Sequence, residues 1–155
     1  EIDPAMGEVA KNYFTYLEKC RSKKPSTVII GDGRLEMEKL PDNSFDVIFM
    51  DAFTSDSIPV HLITQEALSM YTKKLTKKGI IVINISNRYF RLWFPIAATA
   101  EKIGLKSIRG LSLKPPEFGN PSMWMILAPQ KTDLSKFTPN RWTVVKPPKG
   151  TKAWT

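Results

Sequence analysis

Several residue types that build common catalytic sites are scarce in this sequence of 155 residues, which holds one cysteine and one histidine. The single Cys20 excludes an internal disulfide and is typical of a reducing compartment. No cysteine–histidine spacing suits a zinc site, so we expect no metal. His61 is better explained as a surface or packing residue just ahead of a helix than as a base. The sequence also lacks a phosphate-binding P-loop and a serine in a nucleophile elbow.

Apolar runs are short, and none approaches the ~20 residues that a helix needs to cross a bilayer. The first residues show neither the basic region nor the apolar stretch of a signal peptide. We therefore expect no membrane insertion by this chain and a cytoplasmic location. The net charge is +8, but the lysines are scattered, and the aromatic residues do not interleave with them as a base-stacking surface requires. We expect no nucleic-acid partner.

The pattern of apolar residues alternates between helical and strand spacing over a length that suits one domain. The composition, 42% hydrophobic and 25% charged, is that of an ordinary globular protein. Spacings of three and four predict helices over 5–22, 34–40, 64–77 and 87–103. Short apolar, β-branched runs predict strands over 27–30, 45–50, 80–85, 106–113 and 123–128. Pro95 should kink the last helix or delay its start.

Strands that alternate with helices predict an α/β fold of the Rossmann-like kind, a mostly parallel sheet with helices on both faces. Only a loop joins the last two strands, which predicts an antiparallel hairpin at the C-terminal edge. After residue 129 the pattern gives way to a polar tail with several prolines. We expect an α/β domain over 1–129 and a tail over 130–155 that packs on it through Trp142 and Trp154.

Acidic residues stand where three successive strands should end, and ligands of open α/β sheets bind beyond the carboxyl ends of their strands. Glu1 and Asp3 would close a strand that precedes the sequence, Asp32 closes the next and Asp51 the third. An acid placed like Glu1 accepts hydrogen bonds from ribose hydroxyls. Each acid alone is equally well explained as an exposed, turn or capping residue, but three together favour a nucleoside site.

Two of these acids sit in surroundings that suggest a more specific contact. Asp32 lies between Gly31 and Gly33, which let the backbone approach a flat ligand, and its carboxylate can accept from an exocyclic amine such as adenine N6. Asp51 is followed by a second acid, Asp56. An amine nucleophile must be neutral to attack, so a carboxylate beside it acts as base or positioning group. Asp56 is almost as well explained as a loop or capping acid.

These segments together resemble the spermidine synthase-like family, within the class I S-adenosylmethionine-dependent methyltransferase fold. The resemblance runs from residue 1 to about 129 and rests on four segments: Glu1–Pro4, Gly31–Arg34, Phe45–Leu62 and Ile83–Arg88. The stretch from Asp51 to Leu62, together with the tail from Trp142 to Thr155, is similar to the bacterial branch whose members are often fused to a membrane transporter-like region.

The resemblance implies a transferase of polyamine biosynthesis, with a role for each acid. Glu1 and Asp3 would hold the ribose, Asp32 would bind the adenine amine, and Asp51, assisted by Asp56, would face the reacting amine. The co-substrate would be decarboxylated S-adenosylmethionine or S-adenosylmethionine. The reaction would move an aminopropyl group to a polyamine such as putrescine.

The sequence departs from the family at its beginning. The glycine-rich motif for the donor, the first strand and the region that supplies much of the polyamine pocket would all precede Glu1, so we expect an incomplete domain that is inactive alone. Two strand edges would then lack a partner, which predicts a homodimer. The alternatives are a methyltransferase with an unknown acceptor, and a non-catalytic binding or assembly module on the same fold.

Overall fold

The computed structural model describes residues 1–20, 26–53, 58–87, 90–112, 120–137 and 141–155. The chain divides into two compact units, one over Glu1–Leu40 and one over Pro41–Thr155. This division differs from the boundary that we predict at residue 129, which stays a prediction.

The described residues of the first unit form three helices: α1 (Pro4–Tyr13), α2 (Tyr16–Lys19) and α3 (Gly33–Lys39). Asp3 caps α1, because its side chain accepts a hydrogen bond from the Ala5 backbone N–H at 2.9 Å. The single helix predicted over 5–22 is wrong, since the extended backbone of Phe14 ends α1 and a separate short turn follows. α3 agrees with the predicted helix over 34–40 to within one residue.

The segment 27–30, predicted as a strand, is not one of the strands in the structure. Within the described part of the chain its backbone pairs with Glu1, whose backbone nitrogen donates to the Ile29 carbonyl at 2.9 Å and whose carbonyl accepts from the Gly31 N–H at 2.8 Å. Those two bonds are the pattern of a single parallel bridge centred on Ile30. A strand needs a longer ladder, so the prediction fails over 27–30, although Glu1 does pair as the end of a parallel strand would.

In the second unit, the residues that the structure describes form a five-stranded sheet and two α-helices. Its elements in chain order are β1 (Phe45–Met50), a 3₁₀ turn (Val60–Leu62), α4 (Gln65–Lys74), β2 (Leu75–Asn84), α5 (Trp93–Lys102), β3 (Leu105–Ser112), β4 (Ser122–Pro129) and β5 (Trp142–Val144). The strand order across the sheet is β1-β2-β4-β3-β5. β1 and β2 are parallel, while β2–β4, β3–β4 and β3–β5 are antiparallel.

Two element boundaries differ from the sequence prediction around Gly79. We predict a helix through Lys77 with Gly79 as its stop, but α4 ends at Lys74 and β2 begins at Leu75, which pairs with Phe45. Gly79 lies inside β2, where a Cβ atom would stand 2.8 Å from the Phe45 carbonyl oxygen. The glycine is needed because two backbones approach closely, and the sequence alone does not separate that role from a helix stop.

One face of the sheet is buried beneath helices. Directly paired residues share a face of the sheet, and the pairings place Met50, Ile83, Met125 and Arg109 in one row across β1, β2, β4 and β3. The Arg109 guanidinium lies 4.7 Å from the ring centre of Trp93, the first residue of α5, so α5 covers the β3 end of this row. Ile83 and Met125 are fully buried.

The opposite face is covered at β3 and β4 but open at β1. Ile108, Ile126 and Ala128 form a buried cluster with Leu134, against which Phe137 and Trp142 pack. On β1 the same face carries Val47 and Phe49, which are 50% and 61% exposed. Phe49 contacts Trp124, with 4.9 Å between ring centres.

The end of the chain contacts the two helices of the second unit. The Trp154 carbonyl accepts from the Gln65 N–H at 2.7 Å, and the Trp154 N–H donates to Thr99 Oγ1 at 3.0 Å. Trp142 opens β5, a strand that the sequence pattern does not predict. Both tryptophans that we expect to anchor the tail therefore contact the second unit.

The α/β class is confirmed, as is the antiparallel hairpin of β3 and β4 near the C-terminal edge. α5 begins at Trp93, six residues later than predicted, with Pro95 in its first turn as expected. None of the described helices is long and apolar enough to cross a membrane.

Candidate functional site

Glu1 and Asp3 are both held by local hydrogen bonds in the first unit. Glu1 Oε1 accepts from the Asp3 backbone N–H at 3.0 Å, and this bond lowers the pKa of the exposed Glu1 carboxyl below its usual value. Asp3 is occupied as the cap of α1. The Glu1 backbone is also held by its hydrogen bonds to Ile29 and Gly31. The ribose contact expected of Glu1 and Asp3 stays a prediction.

Asp32 is the cap of α3, as its Oδ1 accepts from the backbone N–H groups of Arg34 and Leu35, both at 3.0 Å. Its neighbour Gly31 has a φ of +148°, and a Cβ there would meet the Glu36 carboxylate at 2.7 Å. Only glycine satisfies both conditions. A Cβ at Gly33 would meet nothing within 4 Å, which leaves room beside Asp32 for a flat group.

Asp51 follows the last residue of β1 directly, and its exposed carboxylate is fixed by a neighbouring strand. Asn84, the last residue of β2, donates from Nδ2 to Asp51 Oδ1 at 2.8 Å. The contact follows from the parallel register, which pairs Met50 with Ile83 and so brings the next residue of each strand side by side. A carboxylate and a carboxamide thus stand together at the carboxyl end of the parallel pair.

Asn84 is itself held by the loop after β2. Its Oδ1 accepts from the Ser86 backbone N–H at 3.0 Å, and Ser86 Oγ accepts from the Met123 N–H at 2.9 Å. The Met123 carbonyl in turn accepts from the Ile85 N–H at 2.8 Å. Hydrogen bonds therefore join the carboxyl ends of β1 and β2 to the beginning of β4.

The remaining predicted site residues carry less structural information. Asp56 lies outside the described residues. His61 lies exposed in the 3₁₀ turn Val60–Leu62. Within the described part of the chain no three His, Cys, Asp or Glu side chains cluster as metal ligands would, and the expectation that the reaction uses no metal stays a prediction.

The predicted acids fall in both units of the chain. Glu1, Asp3 and Asp32 belong to the first unit and Asp51 to the second, so their convergence on one pocket stays a prediction. Asn84 belongs to the segment Ile83–Arg88 that resembles the family, but the sequence does not assign it a role. The sequence does carry a signal for it, because Asn84 is the first polar residue in the apolar run that begins at Ile80, one position beyond the residue that pairs with Met50.

The chain has the class I methyltransferase fold. No protein-family model matches the sequence. A polyamine aminopropyltransferase of Vibrio vulnificus is 34% identical over 86 residues, which are 54% of this chain and 27% of that protein.

Solved structures share the fold at low sequence identity. A probable spermidine synthase from Corynebacterium glutamicum is 15% identical, with a TM-score of 0.68 over 99% of this chain and 61% of its own. Thermotoga maritima spermidine synthase is 20% identical, with a TM-score of 0.56 over 83% of this chain and 43% of its own. Human methyltransferase-like protein 13 in complex with SAH is 20% identical, with a TM-score of 0.58 over 88% of this chain and 63% of its own. The chain thus spans about a quarter of the curated relative and about half of the solved ones.

Proposed function

We propose that the protein transfers an aminopropyl group from decarboxylated S-adenosylmethionine to an amine such as putrescine. The observation that carries the proposal is the exposed Asp51 carboxylate, fixed by Asn84 at the carboxyl end of the parallel strand pair, where α/β folds bind their ligands. The identity with a polyamine aminopropyltransferase supports it. The stretch from Asp51 to Leu62 further supports the transporter-fused bacterial branch.

The reaction needs a base and correct placement more than it needs covalent help from the protein. The amine lone pair attacks the methylene carbon next to the sulfonium sulfur; the C–N bond forms while the C–S bond breaks, and methylthioadenosine leaves as a neutral thioether. The nitrogen then carries an extra proton. The product retains this proton as an ammonium ion. Asp51 would act before attack, when its carboxylate would take the proton of the protonated amine and hold the neutral nitrogen aimed at that carbon. Asp56 would assist from the loop that follows.

Residues of the first unit would hold the nucleoside of the donor. Glu1 would accept from the ribose hydroxyls and Asp32 from the adenine amine, while the positive φ of Gly31 and the open space at Gly33 admit the flat base. A carboxylate is an acceptor only, which suits both partners.

Calorimetry with the natural full-length protein tests the proposal. We expect decarboxylated S-adenosylmethionine and methylthioadenosine to bind more tightly than S-adenosylmethionine. Tighter binding of S-adenosylmethionine would instead indicate a methyltransferase on the same fold. Binding of none of the three would favour a non-catalytic module.

Replacing Asp32 by Ser separates its two roles, since serine caps helices as well as aspartate does but lacks the carboxylate. We expect the free energy of unfolding to stay within about 0.5 kcal/mol, and the affinity for methylthioadenosine to fall about tenfold or more, as for a lost hydrogen bond to a charged group. Asp133→Ser is the matched control, since Asp133 likewise accepts from the backbone N–H two residues on. Unchanged affinity in folded Asp32→Ser would exclude the adenine contact.

We also propose a homodimer, supported by the position of β1 at the edge of the sheet and by the exposure of Val47 and Phe49 on it. Light scattering over a range of concentrations should show a dimer. Val47→Lys, which places a charge on that strand, should shift the species toward monomer. A strictly monomeric wild type at high concentration would refute the dimer.

A further inference from the structure

We propose that Asn84 is a positioning residue for the transfer reaction: its carboxamide fixes Asp51 Oδ1 and thereby turns Oδ2 toward the incoming amine. The inference rests on the proposed function and adds a residue to it. Its basis is the 2.8 Å hydrogen bond between Asn84 Nδ2 and Asp51 Oδ1, together with what holds Asn84 in turn.

The orientation of the Asn84 amide is set by its two neighbours. A carboxylate can only accept hydrogen bonds, so it must face the NH₂ end of the amide. The Ser86 backbone N–H can only donate, so it must face the oxygen, as it does at 3.0 Å. Both contacts demand the same orientation, and a flipped amide would lose both.

Asn84 is also well anchored in the sheet. It ends β2, pairs with Trp124 of β4, and is half-buried. Ser86, which orients its amide, accepts from the Met123 N–H at the start of the same strand. The donor to Asp51 is thus held by a strand on one side and a bonded loop on the other, so little ordering remains when substrate arrives.

The bond to Asn84 gives the two carboxylate oxygens of Asp51 different roles. Among the described residues, Asn84 supplies the hydrogen bond that Asp51 accepts. Oδ1 is engaged by that bond, and rotation about the last side-chain torsion is restricted. Oδ2 keeps its acceptor capacity for the N–H of an amine. A carboxylate that rotates freely could accept the same proton, but its oxygen would less often point toward the amine.

Asn84→Ala tests the inference by steady-state kinetics with decarboxylated S-adenosylmethionine and putrescine. We expect kcat to fall about tenfold, the loss expected for one hydrogen bond to a charged group, with the KM for the donor unchanged. Combined with Asp51→Asn, Asn84→Ala should lower kcat no further than Asp51→Asn alone, because the two residues act as a unit. Should Asn84→Ala fail to fold, Asn84→Leu keeps a similar side-chain volume but supplies no donor, and should show the same loss.

Thr76→Val is the matched control. Thr76 Oγ1 donates to Asp46 Oδ1 at 2.8 Å, so the same two strands carry a second side-chain bond to an aspartate at their other end. This variant should leave kcat unchanged. An active wild type whose kcat survives in folded Asn84→Ala or Asn84→Leu would overturn the inference alone, as would full additivity with Asp51→Asn. A wild type inactive with this donor would instead refute the proposed function.

Discussion

Asp51→Asn should lower the turnover of aminopropyl transfer about 100-fold or more, which is the range in which a positioned general base contributes. The carboxamide keeps the shape of the side chain, and its oxygen can still accept from Asn84 Nδ2, so the local geometry is retained. What is lost is the negative charge that holds the proton of the amine. Donor affinity, measured by calorimetry with methylthioadenosine, should stay the same.

Asp46→Asn is the control for this substitution. Asp46 lies on the same strand, β1, and also accepts one side-chain hydrogen bond, from Thr76, but it lies near the opposite end. Its turnover should stay within about twofold of wild type, as for a surface substitution away from a site. Equal turnover of Asp51→Asn and wild type would remove Asp51 from the reaction.

Ile83→Ala should lower the free energy of unfolding by about 2–5 kcal/mol, the usual cost of truncating a large aliphatic side chain in a core. Ile83 is 0% exposed and stands in the middle of the row that α5 covers, paired with Met50 and Met125. Chemical denaturation followed by circular dichroism measures the change.

Val144→Ala provides the comparison on an exposed strand position. Val144 belongs to β5 and is 66% exposed, so its truncation should cost no more than about 0.5 kcal/mol. A cost for Ile83→Ala as small as that for Val144→Ala would mean that the row Met50–Ile83–Met125 is not the core of the second unit.

The strands of the second unit follow from the sequence where an apolar run is long and bounded by turns. β1 agrees exactly in its bounds with the prediction over 45–50, and β3 and β4 agree to within one residue. The sequence does not predict β5, because its three residues, Trp142–Val144, are too few to show a strand periodicity. Their pairing also depends on β3, which lies more than thirty residues away in the sequence. The segment 27–30 fails for the opposite reason: its β-branched pattern is clear, but a strand also requires partners.

Some residues of the candidate site can likewise be predicted from the sequence, and others cannot. Strand ends locate Asp32 and Asp51, because a change from apolar to acidic residues is visible in one sequence. The sequence equally allows Asp32 to be a turn or capping residue, and the structure shows it as the cap of α3. The partnership of Asn84 with Asp51 depends on the register between two strands, which the sequence does not fix without knowing that β1 and β2 are neighbours.

The central claim is tested most directly by identifying the products formed by the natural full-length protein. Decarboxylated S-adenosylmethionine and putrescine should be converted to methylthioadenosine and putrescine enlarged by one aminopropyl group, both seen by mass spectrometry, and Asp51→Asn should yield neither at a comparable rate. Release of S-adenosylhomocysteine from S-adenosylmethionine, with no methylthioadenosine from the decarboxylated donor, would contradict it.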